Sequence, residues 1–126
     1  MRTILIIEDN EKNMKLARDV LQAKGYATLE AVNGEDGVRL ALEHRPDMVL
    51  MDIQLPDING VEAFRRIRAN VDTARIPVVA FTASVTPMDR HRITDAGFDG
   101  FIGKPVNLKE FLETVRKTLE SRPSCG

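Results

Sequence analysis

Five short apolar runs, each followed by a stretch of helical periodicity, extend through the whole chain, and no other feature narrows the fold as much. The runs are Thr3 to Glu8, Ala27 to Ala31, Asp47 to Met51, Ile76 to Phe81 and Gly100 to Gly103. Several are apolar throughout, as strands covered by helices on both faces must be. The last helical stretch is the clearest: Leu108, Phe111, Leu112, Val115 and Leu119 share one stripe at spacings of three and four. Asn107, with Glu110 three residues later, has the form of an N-terminal cap. Val38, Ala41 and Leu42, and Val61, Phe64 and Ile67, make similar stripes behind the capping residues Asn33 and Asn59. The first helix follows Asn10 and carries Met14, Ala17, Val20 and Leu21. The fourth opens with Thr86-Pro87, a cap followed by proline at the first helical position. Beyond Ile93 and Ala96 it has few strongly apolar residues, so it is expected to be the most loosely held.

Strict alternation of five strands and five helices predicts an α/β fold with a doubly wound parallel sheet, because each crossover must be right-handed. The expected strand order is 2-1-3-4-5, which places the topological switch point between the first and third strands. A chain of 126 residues is long enough to bury a core as one domain without disulfides or a structural metal. No apolar run approaches the ~20 residues that cross a bilayer. The run Ile4 to Ile7 is too short, and too abruptly followed by Glu8-Asp9, to serve as a secretory signal, so a cytoplasmic location is expected. The single cysteine, Cys125, lies in the polar tail and reads as an inert exposed thiol. A net charge near −1, with no basic stripe interleaved with aromatics, argues against direct binding to nucleic acid. His44 and His91 lack metal-ligand spacing and fit solvated surface, and no Ser/His/Asp or Cys/His arrangement is evident.

Ligands of such sheets bind outside the carboxyl ends of the strands, which turns strand ends into a filter for chemistry. The first strand ends in Glu8-Asp9, the third in Asp52, the fourth in Thr82 and the fifth in Lys104-Pro105. Any one acid after a strand is more often a solvated turn residue or a helix cap. Three carboxylates, a hydroxyl and an ammonium delivered to one edge form a site. Carboxylates packed together repel, and a hard divalent cation relieves them. Magnesium fits, since it takes oxygen ligands and commonly shares its shell between one or two carboxylates and a phosphate. Asp9 and Asp52 are the expected direct ligands, with Glu8 acting through water. Asp52 is then the nucleophile toward phosphorus, and Thr82 and Lys104 suit the phosphoryl oxygens.

These residues carry a family pattern. Ile6-Ile7-Glu8-Asp9-Asn10, Met51-Asp52-Ile53-Gln54-Leu55-Pro56 with Gly60, Phe81-Thr82-Ala83 and Lys104-Pro105, in this order and spacing, resemble the receiver domains of two-component response regulators from Arg2 to Glu120. Glu8-Asp9-Asn10 with Asn13-Met14 looks most like DivK-type single-domain regulators and the receivers of hybrid kinases. The resemblance implies a flavodoxin-like, CheY-like fold. It also implies that Asp52 is the phosphoacceptor, that Gln54 offers its backbone carbonyl to the metal, and that Lys104 precedes a cis proline. The implied donor is a histidine kinase or histidine phosphotransfer protein and the implied output a downstream protein target. Such a chain is a monomer or weak homodimer, and it is no enzyme beyond catalysing its own phosphorylation and dephosphorylation. Family members often carry Tyr where this chain has Phe101, three residues before the lysine, so Thr82 and Phe101 are the expected switch pair without one hydroxyl.

A magnesium-dependent phosphohydrolase would use the same aspartyl phosphate, but it generally needs a second acid near the nucleophile, and Gln54 stands two residues after Asp52. It would also need an inserted cap domain. A pseudo-receiver is disfavoured by the intact Asp52, Thr82 and Lys104, and a flavin module by the lack of a Gly- or hydroxyl-rich phosphate loop. The expected organisation is a receiver over residues 1–120, a short polar tail over 121–126 and no output domain.

Overall fold

Thr3–Ile7 (β1), Ala27–Ala31 (β2), Met48–Asp52 (β3), Val78–Thr82 (β4) and Gly100–Gly103 (β5) form one sheet, in which every pairing is parallel and the order is β2-β1-β3-β4-β5. The computed structural model describes residues 2–121 apart from 54, 56, 59, 83–90, 92, 94 and 104–106; of Thr82 and Ser121 it describes the backbone alone. Among the described residues, four helices connect or follow the strands: Glu11–Ala23 (α1), Gly34–His44 (α2), Gly60–Ala69 (α3) and Leu108–Ser121 (α4). The expected helix after β4 falls largely outside the described residues, with its Thr86-Pro87 start, although His91, Ile93, Asp95 and Ala96 are helical.

Side chains alternate along each strand, and the two faces build two cores. Leu5 and Ile7 of β1, Val49 and Met51 of β3, and Val78 and Ala80 of β4 pack with Val38 and Ala41 of α2 and Ala63, Phe64 and Ile67 of α3. Ile93 belongs to this cluster. Ile4 and Ile6, Met48 and Leu50, and Val79 and Phe81 face the other way, onto Met14, Ala17 and Leu21 of α1 and Phe111, Val115 and Leu119 of α4. The central strands are thus apolar on both sides, which is why their runs lack polar alternation.

Capping sets the helix starts. Asn10 accepts the N–H groups of Lys12 and Asn13 at 3.0 and 3.1 Å, Asn33 accepts that of Asp36 at 2.8 Å, and Asn107 accepts that of Glu110 at 3.2 Å. The expected cap Asn59 lies outside the described residues. Some details differ from the sequence pattern. β1 stops at Ile7 rather than Glu8, and β3 begins at Met48; Asp47 before it donates its N–H to Thr3 O at 2.8 Å and accepts the Thr3 N–H on its carboxylate at 2.7 Å. β4 begins at Val78, after Pro77, which has no N–H to donate. Leu108, the first residue of α4, is about half exposed although it shares the stripe that Phe111, Val115 and Leu119 bury.

Candidate functional site

The carboxyl edge of the sheet gathers the acidic residues. Asp52 closes β3 opposite Phe81 of β4, and the neighbouring register pairs Ile7 with Met51, so the chain leaving β1 arrives beside Asp52. Glu8, Asp9 and Asp52 each offer a carboxylate oxygen, and these oxygens lie within 4.8 Å of one another. Their surroundings differ. Glu8 is fully buried and Asp52 is 5% exposed, whereas Asp9 faces solvent.

Local backbone geometry fixes the pair after β1. The Glu8 N–H continues the ladder to β2 by donating to Ala31 O at 2.9 Å, and its carboxylate accepts the Asn10 N–H at 3.1 Å. Asn10 in turn caps α1, so one turn orients the acidic pair and starts the helix. Behind Asp52 the fold leaves no spare room. Gly60, the first residue of α3, donates its N–H to Ile53 O at 2.9 Å, and a Cβ on it would fall 2.6 Å from Asp52 O. Only glycine lets α3 start so close to the Asp52 peptide.

Of the remaining expected site residues, Thr82 ends β4 one position beyond the Asp52–Phe81 pair, in register with Gly103. Phe101 lies in β5 opposite Ala80, half-buried against the cluster formed with α2 and α3. Gln54, Lys104 and Pro105 lie outside the described residues, as does Cys125. His44 and His91 are on the surface, His91 against Asp95 at 3.2 Å.

The family model described as the response regulator receiver domain matches residues 4–116. The chain belongs to this family. Among curated relatives of the receiver is the polar-differentiation response regulator DivK of Brucella anthropi, 42% identical over 118 residues that cover 94% of this chain and 96% of that one. The receiver domain of a sensor histidine kinase of Pseudomonas aeruginosa, solved with a magnesium ion coordinated in its active-site cleft, superposes with a TM-score of 0.89 at 32% identity, covering 95% of this chain and 98% of that one. A signal receiver domain of a histidine kinase from Syntrophus aciditrophicus gives a TM-score of 0.90 at 28% identity, over 100% of this chain and 96% of the other.

In this receiver the three carboxylates form a hard-oxygen donor set able to hold a metal ion. Two features of the site escape a reading of the sequence. The close approach of Gly60 to Asp52 requires knowing where α3 lands. The Asp57 carboxylate accepts the N–H groups of Gly34 and Glu35, both at 2.8 Å, across more than twenty residues, and no local pattern signals it. Burial works to raise the Asp57 pKa, yet hydrogen bonds from the N–H groups of Glu35, Gly34, Ile58 and Asp57 itself hold it down to about 2, against an ordinary value of 3.8.

Proposed function

We propose that this receiver is a magnesium-dependent phosphoacceptor that works as a single-domain response regulator in the cytoplasm. The observation that carries this reading is the convergence of Glu8, Asp9 and Asp52 within 4.8 Å at the carboxyl edge of a parallel sheet. Magnesium suits this donor set: Asp9 and Asp52 would bind it directly, Glu8 through water, and Gln54 through its backbone carbonyl. When bound, it supplies charge neutralisation at the carboxylates and at the phosphoryl oxygens. The magnesium ion in the Pseudomonas aeruginosa receiver supports the same choice here.

The chemistry falls to the protein's own groups. An oxygen of Asp52 attacks phosphorus in line, the bond from phosphorus to the imidazole nitrogen of a phosphohistidine donor breaks, and the freed imidazole keeps the electron pair. The product is an acyl phosphate on Asp52. Burial of the carboxylate limits access of water to it. Thr82 donates a neutral hydrogen bond to the phosphoryl oxygens, and Lys104 pairs with them as a cation.

Output follows from the same two strands. Movement of Thr82 toward the phosphoryl group opens space behind β4, and Phe101 turns further inward to fill it. Phe101 carries no hydroxyl that would need a partner on burial, so its inward state is easier to populate than that of a tyrosine. Some partner binding without phosphate is the corollary. The resemblance to the Brucella anthropi regulator, matched over 96% of its length, supports output through protein contacts. The partners are a histidine kinase or histidine phosphotransfer protein and a downstream protein, with the receiver a monomer or weak homodimer. Partner affinity before and after phosphorylation in wild type, Thr82→Ala and Phe101→Ala tests the relay, with the phosphorylated fraction measured in each sample. Both variants should take phosphate and lose most of the change in affinity. Wild-type changes in both would refute it.

A further inference from the structure

The chain that leaves Asp52 is fastened back to α2, the helix before β3, through the Asp57 side chain. Asp57, in the loop between β3 and α3, accepts the Gly34 N–H on Oδ1 and the Glu35 N–H on Oδ2, each at 2.8 Å. These donors belong to the first turn of α2, where backbone N–H groups lack helical partners and negative charge is favoured. Asn33 caps the helix through the Asp36 N–H, and Arg66 ties Glu35 to α3 at 3.0 Å. The Gly34 and Glu35 N–H groups go to Asp57, so the bonds that complete the cap also tie the loop to α2.

That loop is held at three points. Gly60 closes it on Ile53 O at 2.9 Å, Ile58 packs so tightly on Gly34 that a Cβ there would fall 2.4 Å from its side chain, and Asp57 adds the charge-assisted pair. The low pKa of the carboxyl agrees with an anion gripped by N–H groups. Gly60 also abuts the Asp52 carbonyl, so the loop that Asp57 holds adjoins the peptide on which the acceptor is carried.

We propose that Asp57 is a positioning residue for phosphoryl transfer, holding the path of the chain beyond Asp52 so that the acidic pocket keeps its metal-binding geometry. The proposal rests on the reading of Asp52 as phosphoacceptor. Each Asp57 oxygen serves a different N–H, so Asp57→Asn sets an amide donor against a backbone donor, whereas Asp57→Glu keeps both acceptors.

The experiment compares the full chain as wild type, Asp57→Asn, Asp57→Ala, Asp57→Glu and Arg66→Ala. Magnesium affinity is measured by calorimetric titration, the rate of phosphorylation by acetyl phosphate at saturating magnesium, and thermal unfolding for every sample. Asp57→Asn and Asp57→Ala should weaken magnesium binding about tenfold, as loss of a group that orients ligands does. Their rates at saturating magnesium should stay within about threefold of wild type, because the bound cation offsets the cost of ordering the loop. Asp57→Glu should recover most of the affinity. Arg66→Ala, which loosens α2 from α3 without touching the loop, should bind magnesium as wild type does.

Asparagine and alanine variants that melt lower yet bind magnesium like wild type would overturn the proposal and reduce Asp57 to a helix cap. Equal loss of affinity in Arg66→Ala would overturn it as well. If the alanine variant does not fold, the contrast between Asp57→Asn and Asp57→Glu decides by itself. Failure of the phosphoacceptor reading has a separate signature, an unmodified wild-type chain in the same samples, and it overturns the proposal with it.

Discussion

Gly60→Ala is the smallest substitution that reaches the peptide of Asp52. Its Cβ would stand 2.6 Å from Asp52 O and 2.8 Å from Ile53 Cα, where ordinary contact begins at 3.4 Å. Both neighbours are backbone atoms and cannot rotate away, so the start of α3 and the end of β3 must part by about 0.8 Å. Forcing an extra methyl into packed surroundings costs about 1–3 kcal/mol. Replacing glycine by alanine in a helix interior returns up to about 1 kcal/mol, and less at the first helical position. The net loss should be about 1–2 kcal/mol, or roughly 4 °C in melting temperature for each kcal/mol in a domain of this size. The larger effect is on rate. A misplacement of about 1 Å at reacting groups costs up to ~100-fold, so a fall of about tenfold in phosphorylation by acetyl phosphate is expected.

Gly25→Ala is the control. Gly25 has φ +90° with nothing within 4 Å of an added Cβ, so alanine there strains the backbone by about 1–2 kcal/mol far from the acidic pocket. It should lower stability and leave the rate alone. Urea unfolding and a phosphorylation time course, followed by intact mass, read both effects. A Gly60→Ala chain that is phosphorylated at the wild-type rate, or slowed no more than Gly25→Ala, would refute the steric argument.

Asp9→Asn should weaken magnesium binding more than Glu8→Gln in calorimetric titration, because exposed Asp9 is the proposed direct ligand while buried Glu8 is proposed to act through water and keeps an acceptor as Gln; equal affinities in wild type and both variants would place the metal elsewhere. The Asp57 carboxyl, held down to about 2 from an ordinary 3.8, contributes stability that is complete above about pH 4 and is lost as the pH falls toward 2. Acid unfolding of Asp57→Asn should therefore be less steep than that of wild type within that window, and identical slopes would show that the carboxylate is not held as described.

The parallel sheet covered on both faces was legible because the runs from Ile4 to Ile7 and from Met48 to Met51 carry no polar interruption, whereas the order of its strands does not follow from periodicity alone. The acidic cluster was legible because strand ends and parallel connectivity bring Glu8, Asp9 and Asp52 together whatever the detail of the loops. Strand limits were less so. Asp47 looks like the first residue of β3 until its carboxylate is seen to bind the Thr3 N–H, and Leu108 fits its stripe by period while standing half exposed at the helix start. The contacts of Asp57 with α2 and of Gly60 with Asp52 depend on how two elements dock. A single sequence encodes such docking only as a carboxylate and a glycine with no evident local purpose.

On the function proposed above, Asp52 takes a phosphoryl group in a magnesium-dependent step. The direct measurement is peptide mass spectrometry of the chain after treatment with acetyl phosphate, with magnesium or with excess chelator, in wild type and Asp52→Asn. One phosphoryl group should map to Asp52 in the wild-type chain with magnesium, and it should be absent with chelator and absent from the variant. Modification that persists in Asp52→Asn, or that forms equally in chelator, would contradict the account.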